Sequence, residues 1–172
     1  MKHYLFYILV FFSSVGWSQD TLSELLKKHN TNSVPYMSVQ ELAMPKTDAI
    51  ILDAREKNEF EVSHIKGATF VGYDLFDINE VIKNLPNKDE TIVVYCSLGI
   101  RSETIAEQLK KLGYTSVYNL YGGIFEWKNK GFSVVDSQGK ETENIHVFNK
   151  QWSKWLTKGI KVFDKDSNQD ND

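Results

Sequence analysis

One cysteine, four histidines and three prolines among 172 residues remove whole classes of chemistry from consideration. A lone thiol, Cys96, makes no disulfide within the chain and cannot resolve a mixed disulfide, so the protein cannot complete a dithiol redox cycle alone. The histidines, His3, His29, His64 and His146, are scattered and give no zinc-type spacing with one another or with Cys96, so no metal is expected. No GxxxxGK[ST] phosphate loop occurs, and no cofactor is expected. Runs of Lys and Arg are also missing. With 20 basic and 23 acidic side chains the formal charge is −3, which offers no footprint for nucleic acid or anionic membrane.

What is present begins with "MKHYLFYILVFFSSVGWS", a positive start at Lys2, an apolar stretch from Tyr4 to Phe12, then small residues. That layout is a secretory signal peptide over 1–18, with Gly16 and Ser18 placing cleavage before Gln19 and Ser14 with Gly16 as a competing site. Ser13 and Ser14 break the run below the roughly 20 apolar residues that a membrane span needs. The mature protein is expected in a periplasm or outside the cell, without stable membrane association. Losing Lys2 takes its charge from −3 to −4.

Residues 19–32 read as a lead-in, with Leu22, Leu25 and Leu26 on one side of a short helix capped by Thr21. Ser38 and Glu41 form a capping-box pattern for a helix that Pro45 ends, and Asp77 and Glu80 form another for a helix stopped at Pro86. "AIILDA" (49–54) and "TIVVYC" (91–96) are unbroken β-favouring runs, as strands buried on both faces should be; "TFVG" and "SVYNL" are shorter candidates. Ile105, Leu109 and Leu112 share a helical face that ends at Gly113, and "IFEWKNKG" reads as a short helix closed by Gly131. Strands alternating with helices imply an α/β domain over 33–135, a mainly parallel sheet flanked by helices on both faces. A C-terminal extension over 136–163 begins with a polar connector, then places Trp152 and Trp155 on a short helix packing on the domain; 164–172 reads as a disordered acidic tail.

Cys96 stands at the carboxyl end of the strongest strand, where reactive groups of open α/β sheets gather. A short glycine-containing loop between strand and helix can turn its amides inward. Together with the positive end of the following helix and an Arg101 folded back over the loop, these amides favour a thiolate. The expectation is a reactive, accessible sulfur. A buried structural cysteine is the plain alternative, but an unpaired cysteine in an exported chain that opens a Cys-x-x-Gly-x-Arg loop weighs against it.

"CSLGIRS" resembles the active-site loop of the rhodanese-like sulfurtransferases. "LDAREKNEFEVSHIKGA" (52–68) and "VYNLYGGIFEW" (117–127) resemble two further blocks of that family, in the same order. The resemblance implies a rhodanese-like fold and a sulfane sulfur carried as a persulfide on Cys96, from thiosulfate or a persulfide to a thiophilic acceptor. Donor and acceptor would be small molecules or protein-bound thiols. It implies a cradle of Ser97, Leu98, Gly99, Ile100, Arg101 and Ser102, with Asp53 and Arg55 in support, Asp53 binding loop amides and Arg55 pairing with Glu59. His64 is expected to be structural, because a preformed thiolate needs no proton abstractor.

The match has departures. Arg101 is the loop's only cation, where many thiosulfate-using members carry a further basic residue, and Ser63 and Lys66 replace the usual Gly and Pro beside His64. A doubly charged donor would be held less well than a thiol-bound persulfide. Related phosphatases place five residues between Cys and Arg; this chain places four. The alternative function is a noncatalytic rhodanese-like binding module or a sulfur-carrier partner protein.

Overall fold

The structure is a computed structural model that describes residues 21–164. The expected signal peptide over 1–18, and all of the expected acidic tail after Asp164, lie outside the described residues.

Five short strands carry the domain: β1 (Tyr36–Met37), β2 (Ile50–Asp53), β3 (Thr69–Phe70), β4 (Ile92–Tyr95) and β5 (Val117–Leu120). They pair in the order β1-β5-β4-β2-β3, every pairing parallel. The order follows from the apolar pattern. β4, whose four residues are all fully buried, takes the centre, and the exposed β3 takes an edge. Side chains alternate across the sheet, so Val93 and Tyr95 join one core cluster while Ile92 and Val94 join the other. β2 is less covered than its sequence implies, since Ile50 and Ile51 are only half-buried beside the two-residue edge strand.

Helices cover both faces. Ile105, Ala106 and Leu109 of α5 (Arg101–Lys111) pack on the cluster that contains Ile92 and Val94, with α4 (Ile78–Ile82) beside it. α2 (Val39–Leu42) and α6 (Gly123–Asn129) pack on the opposite cluster, joined by leucines of α1 (Leu22–His29). Caps form where the polar residues allow. Thr21 and Glu24 close a reciprocal capping box on α1, and the Ser38 hydroxyl accepts from Glu41 N at 3.1 Å. At Asp77 the expected box with Glu80 does not form, and the carboxylate caps α4 by accepting from Asn79 N instead; α4 ends at Ile82, short of Pro86.

Six elements escape the sequence reading. α3 (Lys57–Val62) has one buried residue, Glu59, and therefore no apolar stripe. β1 is an edge strand of two residues. The polar connector after Val135 is a hairpin of β6 (Val134–Val135) and β7 (Glu141–Thr142), its turn held by Asp136 Oδ1 accepting from Gln138 N and Lys140 N. Farther on, β8 (Asn144–His146) pairs in parallel with β9 (Ile160–Val162), and Trp152–Trp155 between them form one 3-10 turn. This C-terminal segment lies back on the domain: Ser63 Oγ donates to Asn144 O at 2.6 Å, and Val147 and Leu156 enter the core. Among the described residues, no helix is long and apolar enough to cross a membrane.

Candidate active site

β4 delivers Cys96 to its carboxyl end, and α5 begins at Arg101, so Ser97 to Ile100 form the loop between them. Gly99 makes the loop possible. Its φ of +107° lies in the region that side chains disfavour, and a Cβ there would sit 3.2 Å from Leu120 O. The turn aims the Gly99 amide at the sulfur, 3.1 Å from Cys96 Sγ. Ser102 Oγ lies 3.6 Å from the same sulfur and 2.7 Å from Asn119 Oδ1, so its one proton can face either. The loop's back is pinned as well, because Gly99 O accepts from Asn119 Nδ2 and Asn30 Nδ2, each at 2.8 Å.

α6 supports the strand end from the other side. Ile124 N donates to Cys96 O at 2.9 Å and Phe125 N to Ser97 O at 3.2 Å. A Cβ on Gly123 would approach Cys96 O to 2.2 Å, so the glycine is what allows this close contact.

Burial by itself pushes the Cys96 thiol up. The charge of Arg101 and hydrogen bonds from Ser102 and Gly99 outweigh that and leave it below the ordinary thiol range. Arg101 does not reach back freely over the sulfur. Its two terminal nitrogens donate to Glu59 at 2.7 and 2.8 Å, and Ser97 Oγ lies 3.1 Å from both the guanidinium and the carboxylate. Burial would raise the Glu59 pKa, but Arg101 and then Arg55 hold it below the usual carboxylate range. Burial would likewise lower Arg101, yet Glu59 and Cys96 raise it, so the pair stays ionised.

The expected pairing of Arg55 with Glu59 is therefore corrected. Arg55 binds Asp53, with Nη2 at 2.6 Å from Oδ2, and also donates to Ser63 O at 2.6 Å. Asp53 does bind a loop amide, that of Arg55 itself at 3.0 Å; among the described residues no hydrogen bond joins either side chain to 97–102. The Arg55 guanidinium lies 5.6 Å from the Tyr95 ring, and its charge also acts on Glu59. The reason is reach: Asp53 and Arg55 are two residues apart at one strand end, while α3 turns Glu59 toward Arg101. His64 stacks on Phe60 at 3.9 Å, and its Nδ1 lies 3.1 Å from Phe60 O.

A second correction concerns exposure. Cys96 is only 2% exposed, where an open sulfur was expected. The C-terminal segment contributes to the walls of the space beside it. A cavity of about 130 Å³ has Cys96, Ser97, Leu98, Ile100 and Arg101 on one side, and Phe148 and Trp152 on the other. A larger cavity of about 510 Å³, beside Leu98 and Trp155, does not include the sulfur. No cluster of metal-ligating side chains occurs among the described residues. Asn30, Asn119 and Phe148 were not anticipated from sequence. Asn119 alone gave a signal, as a polar residue within an apolar strand close to its carboxyl end.

Residues 38–130 match the Rhodanese-like domain family. The chain belongs to this family. Its rhodanese-like stretch is 35% identical over 77 residues to the probable adenylyltransferase/sulfurtransferase MoeZ of Mycobacterium tuberculosis, 45% of this chain and 19% of that protein. It is 36% identical over 97 residues to a tRNA uridine(34) hydroxylase of Onion yellows phytoplasma, 54% of this chain and 32% of that one. The chain thus spans a third or less of these curated relatives. The thiosulfate sulfurtransferase of Pseudomonas aeruginosa shares the fold, with a TM-score of 0.55 at 22% identity over 72% of this chain and 23% of that chain.

Proposed function

We propose that the protein is a sulfurtransferase in which Cys96 takes a sulfane sulfur from a donor, holds it as a persulfide and yields it to a thiophilic acceptor. The observation that carries this reading is the sulfur itself, set 3.1 Å from the Gly99 amide with its pKa lowered and a cavity in front of it.

The thiolate attacks the outer sulfur of the donor, and the donor's S–S bond breaks with its electron pair on the departing group. With thiosulfate the departing group is sulfite. The acceptor then attacks the terminal sulfur of the persulfide, whose S–S bond returns its pair to Cys96. Two displacements through one covalent intermediate replace a single direct transfer, and ping-pong kinetics follow. The amides of Gly99 and Ser102 favour negative charge on the Cys96 sulfur. Glu59 fixes the Arg101 guanidinium, Asn119 and Asn30 fix Gly99, and no side chain is needed to abstract a proton from an ionised thiol.

The amino-terminal pattern supports export, with transfer in a periplasm or outside the cell. Donor and acceptor are small molecules or protein-bound thiols rather than nucleic acid. Mass spectrometry of the intact protein, incubated with thiosulfate or with a hydropersulfide, should show one added sulfur on wild type, none on Cys96→Ser, and its loss on adding cyanide. A folded wild type that gains no sulfur from any donor would instead be a noncatalytic rhodanese-like module.

A further inference from the structure

The family match ends at residue 130, yet Phe148 and Trp152, two of the residues around the sulfur's cavity, come from beyond it. Phe148 is held in an unusual way. Its φ is +63°, a conformation that bulky side chains avoid, and the residue remains 44% exposed while its ring lies 4.9 Å from the Arg101 guanidinium. The backbone is fixed there by Phe148 N donating to the ring of His146 at 3.1 Å and by Trp152 N donating to Asn149 Oδ1 at 2.8 Å. Trp152 in turn meets His29 of α1 edge-on at 6.0 Å. Strain kept in place by surrounding contacts marks a position with a task other than packing.

We propose that Phe148 and Trp152 are specificity residues that make the site select a thiol-bound persulfide, R–S–SH, over the thiosulfate dianion. This rests on the sulfur-transfer reading above. Among the described residues Arg101 is the only cation lining the cavity, and Glu59 already takes both of its terminal nitrogens. With Cys96 ionised, one cation faces two anions. A dianion entering this space leaves water and finds no uncompensated positive charge, which is costly. An organic R group meets Leu98, Ile100, Phe148 and Trp152 instead. The volume of about 130 Å³ equals about four waters of liquid, enough for the two sulfurs and the first carbons of R, with the remainder passing the exposed edge of Phe148.

In the loading step the Cys96 thiolate bonds to the outer sulfur of R–S–SH while the donor S–S bond breaks. The leaving RS group keeps the electron pair and takes the proton of the SH, giving R–SH and Cys96–S–S⁻ with no net oxidation. The test compares second-order loading rates, by intact mass, for benzyl hydropersulfide and thiosulfate on the full chain and on the Phe148→Ala/Trp152→Ala double variant. Because the two donors differ in intrinsic reactivity, the readout is how the rate ratio changes between proteins. Removing the apolar wall should lower the preference for benzyl hydropersulfide about ten-fold, in the range that apolar pocket contacts supply. If the double variant does not fold, Phe148→Leu and Trp152→Phe should each move the ratio in the same direction, about two-fold. A ratio unchanged in folded variants that still load overturns the assignment alone. A folded wild type that gains sulfur from neither donor overturns the sulfur-transfer reading, and this assignment with it.

Discussion

Two arginine–carboxylate pairs sit within the same half of the molecule and differ in what surrounds them. Arg55 and Asp53 are both fully buried, and their remaining contacts are a backbone carbonyl of Ser63 and the ring of Tyr95. Arg101 keeps 15% of its side chain exposed, beside Glu59 at 1%, and it faces the sulfur's cavity. Similar chemistry therefore does two jobs. The closed pair joins the end of β2 to the Ser63 carbonyl just past α3, while the open pair brings a positive charge to the thiol and fixes its direction. A buried pair is weak evidence of net stabilisation, but removing one partner strands the other's charge.

The comparison can be broken most forcefully at the closed pair. Arg55→Ala leaves Asp53 uncompensated in the interior and should destabilise by about 3–5 kcal/mol, read from denaturant midpoints. Where the variant is still folded, its thiol should titrate as in wild type, since the electrostatic causes acting on Cys96 come from Arg101, Ser102 and Gly99. A thiol displaced to higher pH in Arg55→Ala would erase the distinction between the pairs.

Glu59→Gln tests the open pair. The loss should be smaller, about 2–3 kcal/mol, because Arg101 reaches solvent and keeps hydrogen bonds to Gln and Ser97. Its pH dependence has a definite sign. Glu59 has a folded pKa below the unfolded one, so its contribution is complete above about pH 5, the unfolded range, and disappears as pH falls through the folded value. The stability gap between wild type and Glu59→Gln should thus close in acid; a gap that persists would mean that packing, not charge, carries it. Unlike Arg55→Ala, this variant should change thiosulfate loading, since it frees the Arg101 charge.

The two pairs also show what the chain tells a reader in advance. The Cys96 loop is legible because its determinants are local: an apolar run, a glycine able to take positive φ, and a helix start, all within Ile92 to Arg101. The sheet is legible for the same reason, since β2 and β4 lie in uninterrupted β-favouring runs. Pairing is not local. Arg101 and Glu59 stand 42 residues apart, and α3, with a single buried residue, carries no stripe to reveal that Glu59 turns inward. Phe148 is the extreme case. Its place over the cavity depends on a strand pairing between β8 and β9 and on a left-handed backbone position at a residue that is not glycine.

The smallest expected effect is at Ser102, which separates the amide contribution from the hydroxyl contribution at the sulfur. Ser102→Ala removes the hydroxyl but keeps the backbone N–H, so the Arg101 charge and both amides still act on Cys96. It also leaves the buried Asn119 Oδ1 without its 2.7 Å partner, a loss of about 1 kcal/mol in stability. The thiol should titrate at higher pH than in wild type and still below an ordinary thiol, followed by the ultraviolet absorbance of the thiolate. Loading at neutral pH should fall modestly, and raising the pH should restore it. A titration that reaches the ordinary thiol range would transfer the main role from the Arg101 charge and the loop amides to one hydroxyl, and the contrast between the closed and open arginine pairs would then have no bearing on the sulfur.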